Sequence, residues 1–269
     1  MLAGYERHLG DGGRNVRSFR LPERVAPAPS VRIIGPGRAG RSLAAALTEA
    51  GWAVPPVLGR HDDVRAAARG VDLLILAAPD GSIAELARSV APDPKATVVH
   101  LAGSLGLDVL APHRRRASIH PLVALPTAEI GASRLRGAWY GVSGDLAARA
   151  IPAALGGRIL ELADDPELRA RYHAAACIAS NHLVALLGQV QRVAASAGVP
   201  LDAYLDLVRE TVDNVAALGP RAALTGPVAR GDYDTVARHR SVLPDVERPA
   251  YDAMVELAGR LREGAAACS

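Results

Sequence analysis

Apolar and polar positions divide the chain into two halves of different period. In the first half, short apolar runs alternate with amphipathic stretches. Val31-Arg32-Ile33-Ile34 reads as a strand and Arg41 to Ala50 as an Ala/Leu helix. A weaker strand is expected at Val54–Leu58, although Pro55-Pro56 sits awkwardly there for a central strand. A helix is expected from Asp62 to Ala68. Val71 to Ala78 is a near-continuous apolar run, the mark of a parallel strand buried on both faces. Pro79-Asp80-Gly81-Ser82 breaks it, and Ile83 to Val90 reads as helix. Thr97 to Leu101 is the next strand and another precedes His120. Trp139–Val142 and Ile159–Leu162 add edge strands. Strands alternating with helices predict an α/β fold, a doubly wound parallel sheet.

The second half changes period. Asp165 to Ala197 reads as one long helix, and Pro200 opens a second that runs towards Leu218. A Gly/Pro-rich loop, LGPRAALTGPVARGDYD, follows. Two further helical stretches, separated at Pro244, complete the chain. The expected organisation is a flexible tail over 1–29, an α/β domain over 30–163 and an all-helical domain over 164–269.

Composition narrows the classes. The 269 residues are 49% hydrophobic and 22% charged, a globular balance. With a single Phe, the core must rest on close packing of Ala, Val and Leu. Net charge is +3, nearly all the positive charge is arginine (Lys95 is the one lysine), and no aromatic residues are interleaved with it. A nucleic-acid partner is therefore not expected. Cys177 and Cys268 form neither a CxxC pair nor a metal spacing, which suits a reduced, cytoplasmic protein without a metal. No apolar run reaches the ~18 residues of a membrane helix. The first 29 residues, rich in Arg, Gly and Pro, lack the apolar core of a signal peptide.

The candidate chemistry begins at Gly35-Pro36-Gly37-Arg38-Ala39-Gly40, a G-x-G-x-x-G placed between a strand and a helix. The first glycine permits the tight turn, the second lets backbone approach a pyrophosphate, and the third lets helix and strand pack closely. Helix-start amides then hold the anion. This is the fingerprint of a Rossmann dinucleotide site. An NAD site places Asp or Glu about 20 residues on. Here the stretch reads Val57-Leu58-Gly59-Arg60-His61, with Arg60 where the acid is missing. A guanidinium suits a 2′-phosphate, so NADP(H) is the expected cofactor. The cofactor-binding set is Gly35, Gly37, Arg38, Ala39, Gly40, Arg60, Ala78 and Pro79.

Ligands of a doubly wound sheet sit beyond the carboxyl ends of its strands. Three such ends are polar: Pro79-Asp80-Gly81-Ser82, Ala102-Gly103-Ser104 and Ser118-Ile119-His120-Pro121-Leu122. Asp80, Ser82 and Ser104 have helix capping as a competing role. His120 is a candidate proton donor, with a packed loop histidine as the alternative. On the long helix, His173, Cys177, Ser180, Asn181 and Val184 share one face at α-helical pitch, and Asn181 is the candidate ligand contact on it. Arg230 is a candidate carboxylate clamp or a solvated surface arginine. Asp232 is expected to cap the helix that follows, and His239 to face the loop.

GPGRAG, SIHPL, YHAAACIASNHLVAL and ALTGPVARGDYDTVARH together resemble the bacterial family of Rossmann-like proteins that carry domain of unknown function 2520 at the C-terminus, from about Val31 to Leu261. That family is similar to the wider group joining a Rossmann domain to a 6-phosphogluconate-dehydrogenase-like helical domain, which includes ketopantoate reductases, pyrroline-5-carboxylate reductases and 3-hydroxyisobutyrate dehydrogenases. The resemblance implies an NADPH-dependent reductase of a small 2-oxo acid, 2-dehydropantoate (ketopantoate) of pantothenate biosynthesis foremost, and a homodimer through the helical domain. His120, Asn181, Arg230 and Ser104 are its candidate catalytic residues. One departure stands out. Ketopantoate reductases and 3-hydroxyacid dehydrogenases use a helical Lys four residues before an Asn, and Cys177 stands at that position before Asn181. The proton must then come from His120, from His173, or from water held by Asn181 and Ser104. An imine reductase of the pyrroline-5-carboxylate type, a non-catalytic NADP(H)-binding sensor and a deazaflavin cofactor remain alternatives.

Overall fold

The fold is that of a computed structural model, which describes residues 28–264. All but the last two residues of the expected 1–29 tail lie outside that range, as does Cys268. Contacts divide the chain into two units at Asp165/Pro166.

The first unit is built on one sheet of six strands: β1 (Val31–Ile34), β2 (Leu73–Leu76), β3 (Thr97–His100), β4 (Arg115–Pro121), β5 (Trp139–Gly144) and β6 (Arg158–Glu161), side by side in that order. All neighbours are parallel except β4 and β5. Every residue of β2 and β3 is buried, because helices cover both faces. Side chains alternate between the two covers. Ile33, Leu73, Ile75 and Val99 pack with Leu43 and Leu47 of α1 (Arg38–Glu49), Leu135 of α3 (Ala128–Leu135) and Ile151 of α4 (Ala150–Ala154). Leu74, Leu76 and Val98 pack with Ile83 and Ala87 of α2 (Asp80–Ser89).

Two expected elements are corrected. The strand over Val54–Leu58 shrinks to a single parallel bridge, Leu58 to Ile34, held by Leu58 N–H to Ile33 O at 2.9 Å and Gly35 N–H to Leu58 O at 2.8 Å. Pro55 and Pro56 have no N–H to extend the ladder. The helix over Asp62–Ala68 is a series of turns. Asp62 Oδ2 is turned back to the Gly59 N–H at 2.6 Å, and Asp63 Oδ1 accepts the Arg65 N–H at 2.9 Å, so a side chain competes for an amide the helix would use. The Leu58 bridge still decides the topology. From β1 the chain passes to one flank of that strand, then crosses to β2 on the other. The end of β1 is thus a switch point of the sheet, where ligands of this architecture bind.

At the far end of β4, Arg115 clasps Asp145 bidentately, Nε to Oδ2 at 2.8 Å and Nη2 to Oδ1 at 2.9 Å. Asp145 also accepts the Ala147 N–H at 2.9 Å, capping the 3₁₀ turn Leu146–Arg149. The Arg115 bond holds the Asp145 carboxyl below the usual aspartate range. A depressed folded-state pKa stabilises above the unfolded value of ~3.9 and is lost as pH falls through the folded value. Asp145→Asn is therefore expected to lower the urea midpoint at neutral pH and to flatten the fall in stability below about pH 4. Parallel urea titrations of both proteins across that range check it.

The second unit is helical: α5 (Pro166–Cys177), α6 (Leu183–Ser196), α7 (Asp202–Leu218), α8 (Pro220–Ala223), α9 (Gly226–Arg230), α10 (Tyr233–Val242) and α11 (Arg248–Glu263). Again two expectations change. The single helix from Asp165 contains a π-helical turn, Ile178–His182, between α5 and α6. The Gly/Pro-rich loop coils into α8 and α9, because Pro220 and Pro227 sit in first turns, where a missing N–H costs nothing, and Gly231 closes α9 in the left-handed region (φ 72°). Arg192 of α6 grips the buried Glu247 carboxylate through Nε at 2.5 Å and Nη2 at 3.1 Å, and Gln189 donates to the Glu247 carbonyl at 2.8 Å. Few apolar side chains in this unit are buried, Ala194, Val228 and Leu243 among them. Leu207, Val212, Val215 and Leu218 of α7 are all exposed.

Candidate functional site

The glycine motif occupies the switch point, and its three glycines do different jobs. A Cβ on Gly35 (φ 110°) would lie 2.2 Å from Ala77 O, and one on Gly40 would lie 2.0 Å from Gly35 O. Those two positions let β1, β2 and α1 close on one another. A Cβ on Gly37 would meet nothing within 4 Å. Gly37 is the N-cap of α1, with ordinary backbone angles (φ −74°), no side-chain cap and no acid in the first turn. First-turn amides of a helix have no intrahelical acceptor. The loop therefore offers bare backbone and a positive helix end to an anion. Arg38 is exposed on that turn and Ala39 half-buried; Ala78 and Pro79, half-buried and exposed, leave the adjoining β2, whose neighbour Ala77 donates to Ile34 O at 2.8 Å.

Gly59 packs beside this loop, since its Cβ would lie 3.5 Å from Pro36 Cγ. Arg60 follows it, exposed and without an ion pair among the described residues. The nearby acid, Asp62, has one carboxylate oxygen on the Gly59 amide. An arginine at the loop, with that carboxylate turned to the backbone, suits a phosphorylated ribose.

At the ends of β2 and β3, Ser104 Oγ donates to Asp80 Oδ2 at 3.1 Å. The capping role weighed for these residues is not what they do. The N-cap of α2 is Pro79, without a side-chain bond, and that of the 3₁₀ turn Leu107–Leu110 is Gly106. The loop carrying Ser104 is pinned from below by His100, a residue sequence reasoning missed. His100 is fully buried; Nδ1 accepts the Ala102 N–H and Nε2 meets Gly106 O, both at 3.2 Å. With Nδ1 accepting, Nε2 is the nitrogen left to donate to the Gly106 carbonyl. The available signal was a histidine closing an otherwise apolar strand directly before an Ala-Gly-Ser loop.

His120 lies in β4, one residue before its end, and is half-buried. It lines a cavity of about 130 Å³ together with Ala39, so this cavity joins His120 to the glycine-loop helix. Tyr140 lines it too, but its hydroxyl donates to Leu135 O at 2.5 Å, and burial drives the phenol above its ordinary pKa.

In the second unit, Asn181 and Ser180 are exposed on the π-helical turn. The one-face argument made for His173, Cys177, Ser180, Asn181 and Val184 assumed a constant pitch. A π turn takes an extra residue, so the stripe does not continue unchanged through it. What survives is the pair one α-turn apart, Cys177 Sγ and His173 Nε2, at 3.6 Å. Arg230 ends α9 and is exposed. Asp232 caps α10, as expected, by accepting the Thr235 N–H at 3.0 Å; bonds to Thr235 hold its carboxyl below the usual range, helped by Arg238 and Arg230. His239 Nδ1 meets Tyr251 Oη of α11 at 3.0 Å. Among the described residues no group of His, Cys, Asp and Glu could hold a metal ion, and no helix is long and apolar enough to cross a membrane.

A Rossmann-like domain is matched over residues 56–126, and the domain of unknown function DUF2520 over residues 143–258. The chain is a Rossmann-like protein with a C-terminal DUF2520 domain. No curated protein matches this Rossmann–DUF2520 chain. Solved structures do. The candidate NADP oxidoreductase BF3122 from Bacteroides fragilis is 22% identical, with a TM-score of 0.71 over 87% of this chain and 98% of that one. The reductive aminase from Aspergillus terreus, solved with NADPH and ethyl-5-oxohexanoate, is 18% identical, with a TM-score of 0.63 over 88% and 95%. The pyrroline carboxylate reductase of Plasmodium falciparum, solved with NADP bound, is 11% identical, with a TM-score of 0.56 over 87% and 98%. The Rossmann–DUF2520 chain shares the fold of these proteins along nearly its whole described length.

Proposed function

We propose that the protein is an NADPH-dependent reductase of a small 2-oxo acid. The carrying observation is the glycine loop: two glycines that cannot bear a Cβ, and between them one whose Cβ would meet only open space, at a helix start beside which Gly59, the residue before Arg60, is packed. This is backbone prepared for a pyrophosphate, and Arg60, next to the Gly59 packed on it, selects the phosphorylated ribose. Gly35, Gly37, Arg38, Ala39, Gly40, Ala78 and Pro79 hold the cofactor. That similar folds were solved with NADP and NADPH supports the reading.

NADPH, when bound, supplies the hydride. His120 delivers a proton from an imidazole nitrogen to the substrate oxygen. Ser104 and Asp80 shape the adjoining loop, Asn181 orients the carbonyl through its side-chain amide, and Arg230 holds the carboxylate bidentately. No lysine is needed for this scheme. Ketopantoate is the first substrate to try. The names of two of the similar structures, a pyrroline carboxylate reductase and a reductive aminase, favour a C=N substrate as the second reading, with the same residues protonating nitrogen instead. The exposed apolar face of α7 supports a homodimer through the helical unit.

The test is NADPH oxidation followed by absorbance with ketopantoate, other 2-oxo acids and pyrroline-5-carboxylate. Turnover of one of them supports the reductase. NADPH binding without turnover across the panel makes the protein a sensor, and deazaflavin binding in place of NADPH overturns the cofactor assignment. Arg60→Ser is expected to weaken NADPH binding about 10- to 100-fold, the worth of one or two charge-assisted hydrogen bonds, and to leave NADH binding unchanged. Fluorescence titration of both coenzymes measures that difference.

A further inference from the structure

The carboxyl end of the sheet carries a charged group that the reductase scheme does not use. β5 runs antiparallel to β4, and β6 parallel to β5. The first residues of β5 and β6, Trp139 and Arg158, therefore stand at the same edge as the glycine loop, the Ser104–Asp80 bridge and His120. Strand register also fixes the face. Ile119, Tyr140 and Val142 enter the core with side chains of α1, α3 and α4. The opposite face at this edge carries His120, paired with Gly141, then Leu122 and Trp139, joined by Leu122 N–H to Trp139 O at 2.8 Å, then Arg158 and Leu160. Arg158 Cζ lies 4.5 Å from the centroid of the Trp139 ring, so its guanidinium is folded back from the outermost strand over β5. Arg158 is exposed and pairs with no acid among the described residues. The acid of β6, Glu161, is three residues on and so on the other face, where Arg149 Nη2 holds it at 2.9 Å. A cation–π contact orients a guanidinium without neutralising it, and its donors stay free to fork onto a carboxylate. Trp139 is 39% exposed and Leu122 37%, so the charge has an apolar, accessible approach from the His120 side.

We infer that Arg158, held over Trp139, is a specificity-determining residue that receives a second carboxylate at the far end of the substrate. The order of groups along the sheet edge argues for it. The glycine loop follows β1, His120 is on β4, and Trp139 and Arg158 open β5 and β6. A substrate whose carbonyl meets His120 then has the cofactor loop on one side and the Arg158 guanidinium on the other. His120 and Trp139 are diagonal neighbours across the β4–β5 pair. Such neighbours lie roughly 7–8 Å apart, a step that a short carbon chain spans between its carbonyl and a terminal carboxylate. Leu122 and the indole edge give that chain an apolar floor. In the proposed scheme Arg230 already holds the carboxylate beside the carbonyl, so a second clamp calls for a second acid group. The Arg158 clamp rests on the oxo-acid reading and narrows its substrates to dicarboxylic oxo acids.

Two measurements separate the clamp from that reading. The first needs no turnover. The chain has two tryptophans, Trp52 and Trp139, so Trp52→Phe leaves Trp139 as the reporter. Glutarate is titrated into that protein in the presence of NADP⁺ while indole fluorescence is followed, with pentanoate as the control of equal chain length. Glutarate is expected to change the signal saturably and pentanoate to leave it in place. Arg158→Gln is expected to weaken glutarate at least about tenfold, the worth of one charge-assisted hydrogen bond, and Arg158→Lys to recover part of the loss. If Trp52→Phe fails to fold, the unaltered chain serves, because Trp52 is buried and adds a constant background. No saturable change, or one that Arg158→Gln leaves intact, overturns the clamp. The second measurement is kcat/KM for NADPH oxidation with 2-oxoglutarate against 2-oxopentanoate, which carries a methyl group in place of the distal carboxylate. A preference for 2-oxoglutarate of about tenfold or more is expected, and Arg158→Gln should bring the two substrates level. Equal values in the unaltered protein, or a preference that survives Arg158→Gln, overturn the clamp while turnover itself keeps the reductase. Saturable, Arg158-dependent glutarate binding without turnover of any oxo acid or imine defeats the reductase instead and leaves the clamp standing as a carboxylate site.

Discussion

Gly37→Val is expected to abolish measurable NADPH binding while the protein keeps its fold. The two halves of that expectation come from one geometric fact. A Cβ at position 37 meets no protein atom within 4 Å, and the backbone there has angles that any residue adopts. Folding should therefore lose little, within the ~0.5 kcal/mol typical of surface substitutions. The cofactor loses much more, because two methyl groups would stand where the pyrophosphate must approach the amides of the α1 first turn. A loss of at least 100-fold is expected, about 2.7 kcal/mol or more. Gly35→Ala and Gly40→Ala are the controls of opposite kind. Their methyl groups would collide with Ala77 O and Gly35 O, so these variants should lose stability by about 3 kcal/mol or more before any ligand is considered. Thermal melts beside fluorescence titrations read both quantities. Tight NADPH binding by a folded Gly37→Val protein would remove the basis of the cofactor site.

The second large effect is expected at His120. His120→Ala should lower kcat by about 10²- to 10⁴-fold, the usual contribution of a positioned general acid, with NADPH affinity intact. A packing role predicts a different result: a lower melting temperature, with kcat falling only as far as the folded fraction does. Asn181→Ala is expected to raise KM together with a smaller loss of kcat, because in the proposed scheme the amide orients the carbonyl and moves no proton. Steady-state kinetics of both variants at matched folded fraction tells the roles apart. If neither changes turnover, the proton comes from elsewhere, and the Cys177–His173 pair is the next group to test.

The elements that were legible from sequence are those whose signal is local. The strands at Val31–Ile34, Leu73–Leu76 and Thr97–His100 announce themselves by unbroken apolar runs, which only a sheet covered on both faces can bury. The glycine loop was legible because its spacing lies between one strand and the helix that follows, although the group that forbids a Cβ on Gly35 is Ala77 O, far along the chain. Asp232 was legible as a cap because the amide it accepts lies three residues away. Other features depended on partners far along the chain. The segment ending at Leu58 keeps one bridge because its prolines cannot extend the ladder of β1, and how far a strand pairs is decided by both members. Asp62 and Asp63 bond to nearby amides and replace a helix that periodicity alone favours. The π turn at Ile178–His182 leaves no mark in the apolar pattern, yet it changes which residues share a face with Asn181.

The candidate site divides along the same line. Gly35, Gly37, Gly40 and Arg60 were readable because spacing within one β-turn-α unit suffices to place them. His100 was passed over, since nothing local tells a buried hydrogen-bonding histidine from any other polar residue closing a strand. The meeting of His120 with Ala39 on one cavity joins residues 81 positions apart and required the sheet order. Alone, the sequence determined an α/β half with a glycine turn between its first strand and helix, and a helical half, because hydrophobic period and glycine placement act over a few residues. Only the tertiary structure decided the antiparallel turn of β5, the Ser104–Asp80 bridge and the apolar pocket beside His120. Strand pairing and the space left between packed side chains are set by groups that meet only when the chain has closed on itself.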